Sequence, residues 1–227
     1  MRRAPSRARM KTVIIGANGG IGGALADALT EEGASVRRFS RPELDLLDEQ
    51  TIAAAAASAG TPSLVVVATG LLHDGERGPE KAIRDLDPTW LAQQYAINAI
   101  GPALLAKHFL PVMPRTGRSV FAVLSARVGS ISDNRLGGWY GYRASKAALN
   151  QLIRTLAIED KRRNDRGIVV ALHPGTVDTK LSQPFQQTGR DLFKPDRAAV
   201  QLLDVLEALK PQDSGKLFAW DGVEIAP

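Results

Sequence analysis

The run Leu64-Val65-Val66-Val67-Ala68 is apolar at every position. A strand with one face in water alternates polar and apolar residues; a run without alternation belongs to a strand covered on both faces, as in a parallel sheet. Further short strand segments are read at residues 12–15, 35–39, 119–124, 168–172 and 216–219. Segments of helical spacing separate them. Ile21, Leu25 and Leu29 mark a helix over 21–32 that stops at Gly33, and alanine-rich 51–59 stops at Gly60 and Pro62. Residues 88–113 read as a helix bent at Gly101-Pro102, followed by helices over 142–163 and 195–209. Parallel strands need crossover connections, and helices supply them. The predicted fold is α/β: a single doubly wound domain over 11–227, with a mainly parallel sheet flanked by helices on both faces.

Composition narrows the function classes. The chain has 227 residues and no cysteine, which excludes disulfides, thiolate catalysis and cysteine-ligated metals and points weakly to the cytoplasm. The formal charge of +5 is concentrated in Arg2, Arg3, Arg7, Arg9 and Lys11. Residues 1–10 are therefore expected to be a disordered or upstream extension, and the basic balance does not describe a nucleic-acid-binding face. No apolar run reaches the length of a membrane span, so a soluble protein is expected. His73, His108 and His173 share no metal-like spacing, and no metal site is expected.

In a doubly wound sheet, ligands bind beyond the carboxyl ends of the strands. After the first strand comes Gly16-Ala17-Asn18-Gly19-Gly20-Ile21-Gly22, a glycine loop leading into a helix. Such a loop lets the backbone approach a pyrophosphate while the helix N-terminus supplies N–H donors, the arrangement of a Rossmann-type dinucleotide site. Gly16, Asn18, Gly20, Ile21 and Gly22 are the candidate contacts. The second strand ends in Ser40-Arg41, where an acid would bind the ribose of NAD. A hydroxyl and a guanidinium suit a 2′-phosphate instead, which favours NADP(H) over NAD(H). Asp45 and Leu46 follow, with Asp45 placed either at the adenine edge or as the cap of the helix near Glu49. Ala68-Thr69-Gly70, after the third strand, leave room for a dinucleotide against the backbone.

Tyr142 and Lys146 stand one helical turn apart, so they share a helix face. A nearby ammonium favours the phenolate and would draw the tyrosine toward neutral pH, making it a usable proton donor and acceptor. Asn98 lies inside a predicted helix, Ser125 at a strand end, and Pro174-Gly175-Thr176 after the strand over 168–172.

Taken together, the glycine loop, Ala68-Thr69-Gly70, Asn98, Ser125, Tyr142-x-x-x-Lys146 and Pro174-Gly175 occur in the order of the short-chain dehydrogenase/reductase family. After residue 10 the chain resembles that family throughout. Residues 129–134, Gly137-Gly138-Trp139-Tyr140 and His173-Pro174-Gly175 are similar to its C-factor-like and sniffer-like carbonyl-reductase branch. The resemblance implies Tyr142 as acid/base and Lys146 as the residue that lowers its pKa and holds the nicotinamide ribose. It implies Asn98 as the keeper of a water-linked proton relay and Pro174 to Thr176 as neighbours of the nicotinamide. The family often carries a serine pair where this chain has Ser125-Ala126, the second serine often being the catalytic one. The serine on the substrate oxygen is thus Ser125, favoured by its strand-end position, or Ser130. The chemistry implied is reversible hydride transfer between NADP(H) and a small-molecule carbonyl or alcohol, in a homodimer or homotetramer. A dinucleotide-sensing regulatory protein with little turnover is the alternative.

Overall fold

The computed structural model describes residues 10–185 and 192–227; residues 1–9 of the expected extension, and residues 186–191, lie outside them. The strands are β1 (Lys11–Ile15), β2 (Ser35–Phe39), β3 (Leu64–Val67), β4 (Ser119–Leu124), β5 (Gly167–His173), β6 (Leu217–Ala219) and β7 (Glu224–Ile225). They form one seven-stranded sheet in the order β2-β1-β3-β4-β5-β6-β7. The first six are parallel and β7 is antiparallel to β6. The two-residue β7 is too short to leave a period in the sequence and was not foreseen.

Alternate residues of the central strands enter two separate cores. Val65, Val67, Phe121, Val123, Val169 and Ala171 face one side, with residues of α2 (Glu49–Ser58), α4 (Gly101–Phe109) and α5 (Tyr140–Arg163). Leu64, Val66, Val120, Ala122, Leu124, Val170 and Leu172 face the other, with α1 (Gly20–Glu31) and α6 (Pro195–Ala208). This two-sided burial is why β3 carries no polar residue.

The helix expected over 88–113 is divided. The segment α3 (Pro88–Tyr95) passes through a π-helical turn, Ala96–Ile100, into α4. The irregularity thus precedes Gly101-Pro102 and contains Asn98. Gly101 is instead a contact point: a Cβ there would lie 2.8 Å from Cβ of Leu46. The long helix α5 begins at Tyr140, so Tyr140, Tyr142 and Lys146 are all helical.

Candidate active site

The loop after β1 is shaped by its own packing. Gly16 has φ +85°, and a Cβ on it would meet the carbonyl oxygen of Ala68 at 2.8 Å. A Cβ on Gly22 would lie 2.2 Å from the carbonyl oxygen of Gly16, so α1 can seat against β1 only with glycine there. Asn18, Gly19 and Gly20 remain exposed at the start of α1. Ile21 packs between the α1 core and the small cluster of Val177, Phe193 and Ala198.

A cleft of about 190 Å³ opens beside this loop, lined by Asn18, Arg38, Phe39, Ser40, Arg41, Pro42 and Glu43. The Asn18 backbone N–H donates to Oγ of Ser40 at 3.0 Å, fastening the β2 end to the glycine loop. Arg38 is engaged by Asp27 at 2.8 Å, and Arg37 lies 3.5 Å from Glu43. Among the described residues, the exposed Arg41 has no ion-pair partner. Asp45 accepts from the backbone of Leu47, and the α2 cap is Asp48, which accepts from Gln50. Of the two expected roles for Asp45, capping is therefore taken by Asp48. Leu46 packs on Gly101.

Ala68 continues the sheet by donating its N–H to Ile15. The Thr69 hydroxyl is buried without a hydrogen-bond partner among the described residues. The position of a Cβ on Gly70 would lie 3.6 Å from Oδ1 of Asn98 and 3.8 Å from Nζ of Lys146, which places both side chains around Gly70. At the β5 end, Gly175 has φ +80° and packs against the ring of Phe193, while Thr176 accepts from Phe193 N–H at 2.9 Å. His173 is held neutral: burial pushes its imidazole down to about 4, with the Arg127 guanidinium acting in the same direction.

Tyr142 and Lys146 share the buried face of α5. The Lys146 ammonium donates to the Leu124 carbonyl at 2.9 Å and lies 5.8 Å from the Tyr142 ring centroid. Burial pushes the lysine down to about 8 and the tyrosine up to about 12. The expectation of a tyrosine drawn down by its lysine is thus reversed in the protein alone. Desolvation of the phenol outweighs a cation nearly 6 Å from the ring. Tyr142 packs with Leu72 and Ala126, and Val128, Trp139, Leu181 and Phe185 border that cluster. Ring contacts run from His73 through Phe185 and Trp139 to Tyr142, with centroids 5.6, 5.6 and 6.2 Å apart. A larger cleft of about 390 Å³ lies beside Trp90 and Phe185, and neither Tyr142 nor Lys146 lines it.

The Oγ of Ser125, the expected partner of the substrate oxygen, donates to Oδ1 of Asn150 on α5 at 2.7 Å, whereas Ala126 packs in the Tyr142 cluster. The cause is strand alternation: Phe121 and Val123 point into the α5 core, and Ser125 continues that side. The alternative, Ser130, is buried and accepts from the Asp133 N–H at 3.2 Å. Asn98 is also committed. Its Oδ1 accepts from Leu71 N–H at 2.7 Å, and its Nδ2 donates to Leu71 O at 2.8 Å and Ser145 Oγ at 3.1 Å. Ala126, Leu72 and Val128 were not identified from the sequence, since apolar wall residues have no motif.

Similarity to known proteins gives the chain a family. The family described as enoyl-(acyl carrier protein) reductase matches residues 43–219. The C-signal protein of Myxococcus xanthus is 34% identical over 145 residues, covering 63% of this chain and 82% of that protein. The NADPH-bound carbonyl reductase from chicken fatty liver superposes with a TM-score of 0.82 at 26% identity, covering 96% of this chain and 95% of that one. The carbonyl reductase Sniffer of D. melanogaster has the same fold, with a TM-score of 0.80 at 21% identity over 96% of this chain and all of that one. The chain belongs to the short-chain dehydrogenase/reductase family of NAD(P)-dependent oxidoreductases.

Proposed function

We propose that this chain catalyses reversible hydride transfer between NADP(H) and a carbonyl or alcohol, with Tyr142 as the acid/base. The observation that carries the reading is the pairing of two buried groups on one face of α5. A phenol that burial keeps protonated stands beside a lysine, next to the loops a dinucleotide would occupy.

The site fits a dinucleotide. The exposed backbone at Asn18, Gly19 and Gly20 opens at the N-terminus of α1, ready for a pyrophosphate. Arg41, free of acidic partners among the described residues, and Ser40 offer the charge and hydroxyl a 2′-phosphate needs. NADPH bound in the related chicken carbonyl reductase supports the same choice. When bound, the nicotinamide supplies the hydride.

The chain's own residues do the rest. Tyr142 holds its proton through neutral pH and so begins reduction as the acid. Proton donation leaves a tyrosinate, and the Lys146 ammonium is near enough to its ring to stabilise that charge. Asn98 fixes the Leu71 backbone and Ser145, which hold the wall beside Lys146. Leu72, Ala126, Val128, Trp139, Leu181 and Phe185 give the substrate an apolar approach to Tyr142. Consumption of NADPH with aldehydes and ketones, lost in Tyr142→Phe, tests this reading.

The same helices carry the assembly surface. Tyr95, Ile100 and Ile158 are large apolar side chains left exposed along α3, the π turn and α5. We assign that face to a second copy of the chain, giving a homodimer or homotetramer.

A further inference from the structure

Glu80 lies in the long connection after β3, far in sequence from the helix carrying Tyr142, yet it is only 4% exposed. Its Oε2 accepts from the backbone N–H of Gly141 at 3.0 Å, and its Oε1 accepts from Nε2 of Gln94 at 3.1 Å. Its own carbonyl accepts from Trp139 N–H. The Glu80 residue thus binds two backbone donors at the very start of α5, on either side of Tyr140. The next residue after Gly141 is Tyr142.

The rest of the helix start is built around this contact. Gly137 and Gly138 have φ +63° and Trp139 has φ +54°, a left-handed turn that delivers the chain into α5. Trp139, the residue at the cap position, makes no side-chain capping bond, so Glu80 satisfies a donor that the helix itself leaves open. A Cβ on Gly141 would fall 2.5 Å from Nε2 of Gln94 and 2.8 Å from Oε1 of Glu80. Glycine at 141 is what allows the carboxylate to come this close. Gln94 is fully buried, and its Oε1 has no hydrogen-bond partner among the described residues.

Resting on the reading of Tyr142 as the acid/base, we infer that Glu80 is a positioning residue for the reaction. By fixing the Gly141 amide it sets the height and rotation of the first turn of α5, and hence where the Tyr142 hydroxyl stands. Errors of about 1 Å in such a placement cost on the order of 100-fold in rate.

Three variants test this. In Glu80→Ala, kcat for carbonyl reduction is expected to fall about 10- to 100-fold, while carbonyl KM and NADPH affinity stay within about threefold. Glu80→Gln is expected to recover kcat to within about threefold of wild type. Its amide oxygen can accept from Gly141, and its NH2 can donate to Oε1 of Gln94 once the Gln94 amide, which now presents Nε2 to Glu80, turns over. Gly141→Ala, which drives a methyl into the Glu80–Gln94 contact, is expected to reproduce the Glu80→Ala loss and decides the matter if Glu80→Ala does not fold. Hydrogen exchange at the Gly141 amide is read in parallel, slow in wild type and Glu80→Gln and fast in Glu80→Ala, with the remainder of α5 still protected. A folded Glu80→Ala with unchanged kcat, a loss confined to KM, or a Glu80→Gln no better than Glu80→Ala overturns the inference. If wild type reduces no carbonyl, the reading of Tyr142 fails first, and unaltered exchange at Gly141 in Glu80→Ala separately refutes the positioning.

Discussion

The hydroxyl of Ser125 donates to Oδ1 of Asn150 at 2.7 Å, tying the end of β4 to the middle of α5. The next residue, Ala126, packs in the apolar cluster of Tyr142. Ser125→Ala is therefore expected to lower kcat by less than about tenfold, because it removes one neutral buried hydrogen bond worth about 1 kcal/mol. Ala126→Ser places a hydroxyl beside Tyr142 and is expected to raise kcat/KM for ketones by about tenfold, as a second donor to the carbonyl oxygen. Steady-state kinetics of the two variants check the assignment. A Ser125→Ala loss comparable to that of Tyr142→Phe would show that Ser125 leaves Asn150 and reaches the substrate.

The free guanidinium of Arg41 gives a cofactor prediction. A charge-assisted bond to a phosphate contributes about 1.5–3 kcal/mol. Arg41→Ala is expected to weaken NADPH binding about 10- to 100-fold and leave NADH binding nearly unchanged. Fluorescence titration with both dinucleotides measures it, and equal losses for the two would remove the 2′-phosphate from this cleft.

Burial of Lys146 makes the protein's stability depend on pH in a defined direction. Between about pH 8 and 10.5 the unfolded chain keeps the lysine proton while the folded chain releases it. The unfolded state then binds more protons, so this group adds stability as pH rises through that window. Its penalty at pH 7 is at most roughly 3 kcal/mol. Without dinucleotide, Lys146→Met is expected to be more stable than wild type at pH 7, with the gap closing toward pH 10. Urea unfolding at several pH values reads this out; a variant less stable at pH 7 contradicts it. Tyr142, pushed up to about 12, acts oppositely, removing stability only above pH 10.

Exposed Tyr95, Ile100 and Ile158 lead to an expected sedimentation coefficient of a dimer or tetramer at micromolar concentration. Ile158→Glu is expected to shift it toward the monomer. A wild-type monomer independent of concentration would leave that face without its second copy.

What the sequence disclosed was local. The unbroken apolar run of β3 announced a sheet covered on both faces, and the i, i+4 spacing of Tyr142 and Lys146 puts them on one helix face. What it concealed was orientation and distance. Whether Ser125 or Ala126 faces Tyr142 depends on where strand alternation gives way to loop, which no residue identity marks. The π turn at Ala96–Ile100 has no propensity signature, and it brings Asn98 onto the backbone of Leu71. Burial raised Tyr142 instead of lowering it because desolvation is a property of the finished pocket, not of the spacing. Glu80 was silent because its partner is 61 residues away.

The most direct test is NADPH consumption with a panel of aldehydes, ketones and quinones, run on wild type and Tyr142→Phe with NADPH binding measured on both. Removing the proton donor while keeping the ring is expected to reduce kcat at least about 1000-fold and leave NADPH affinity unaltered. Turnover that survives in Tyr142→Phe would contradict Tyr142 as the acid. Tight NADPH binding by wild type with no turnover on any carbonyl would contradict the reductase itself and favour a dinucleotide-sensing protein built on this fold.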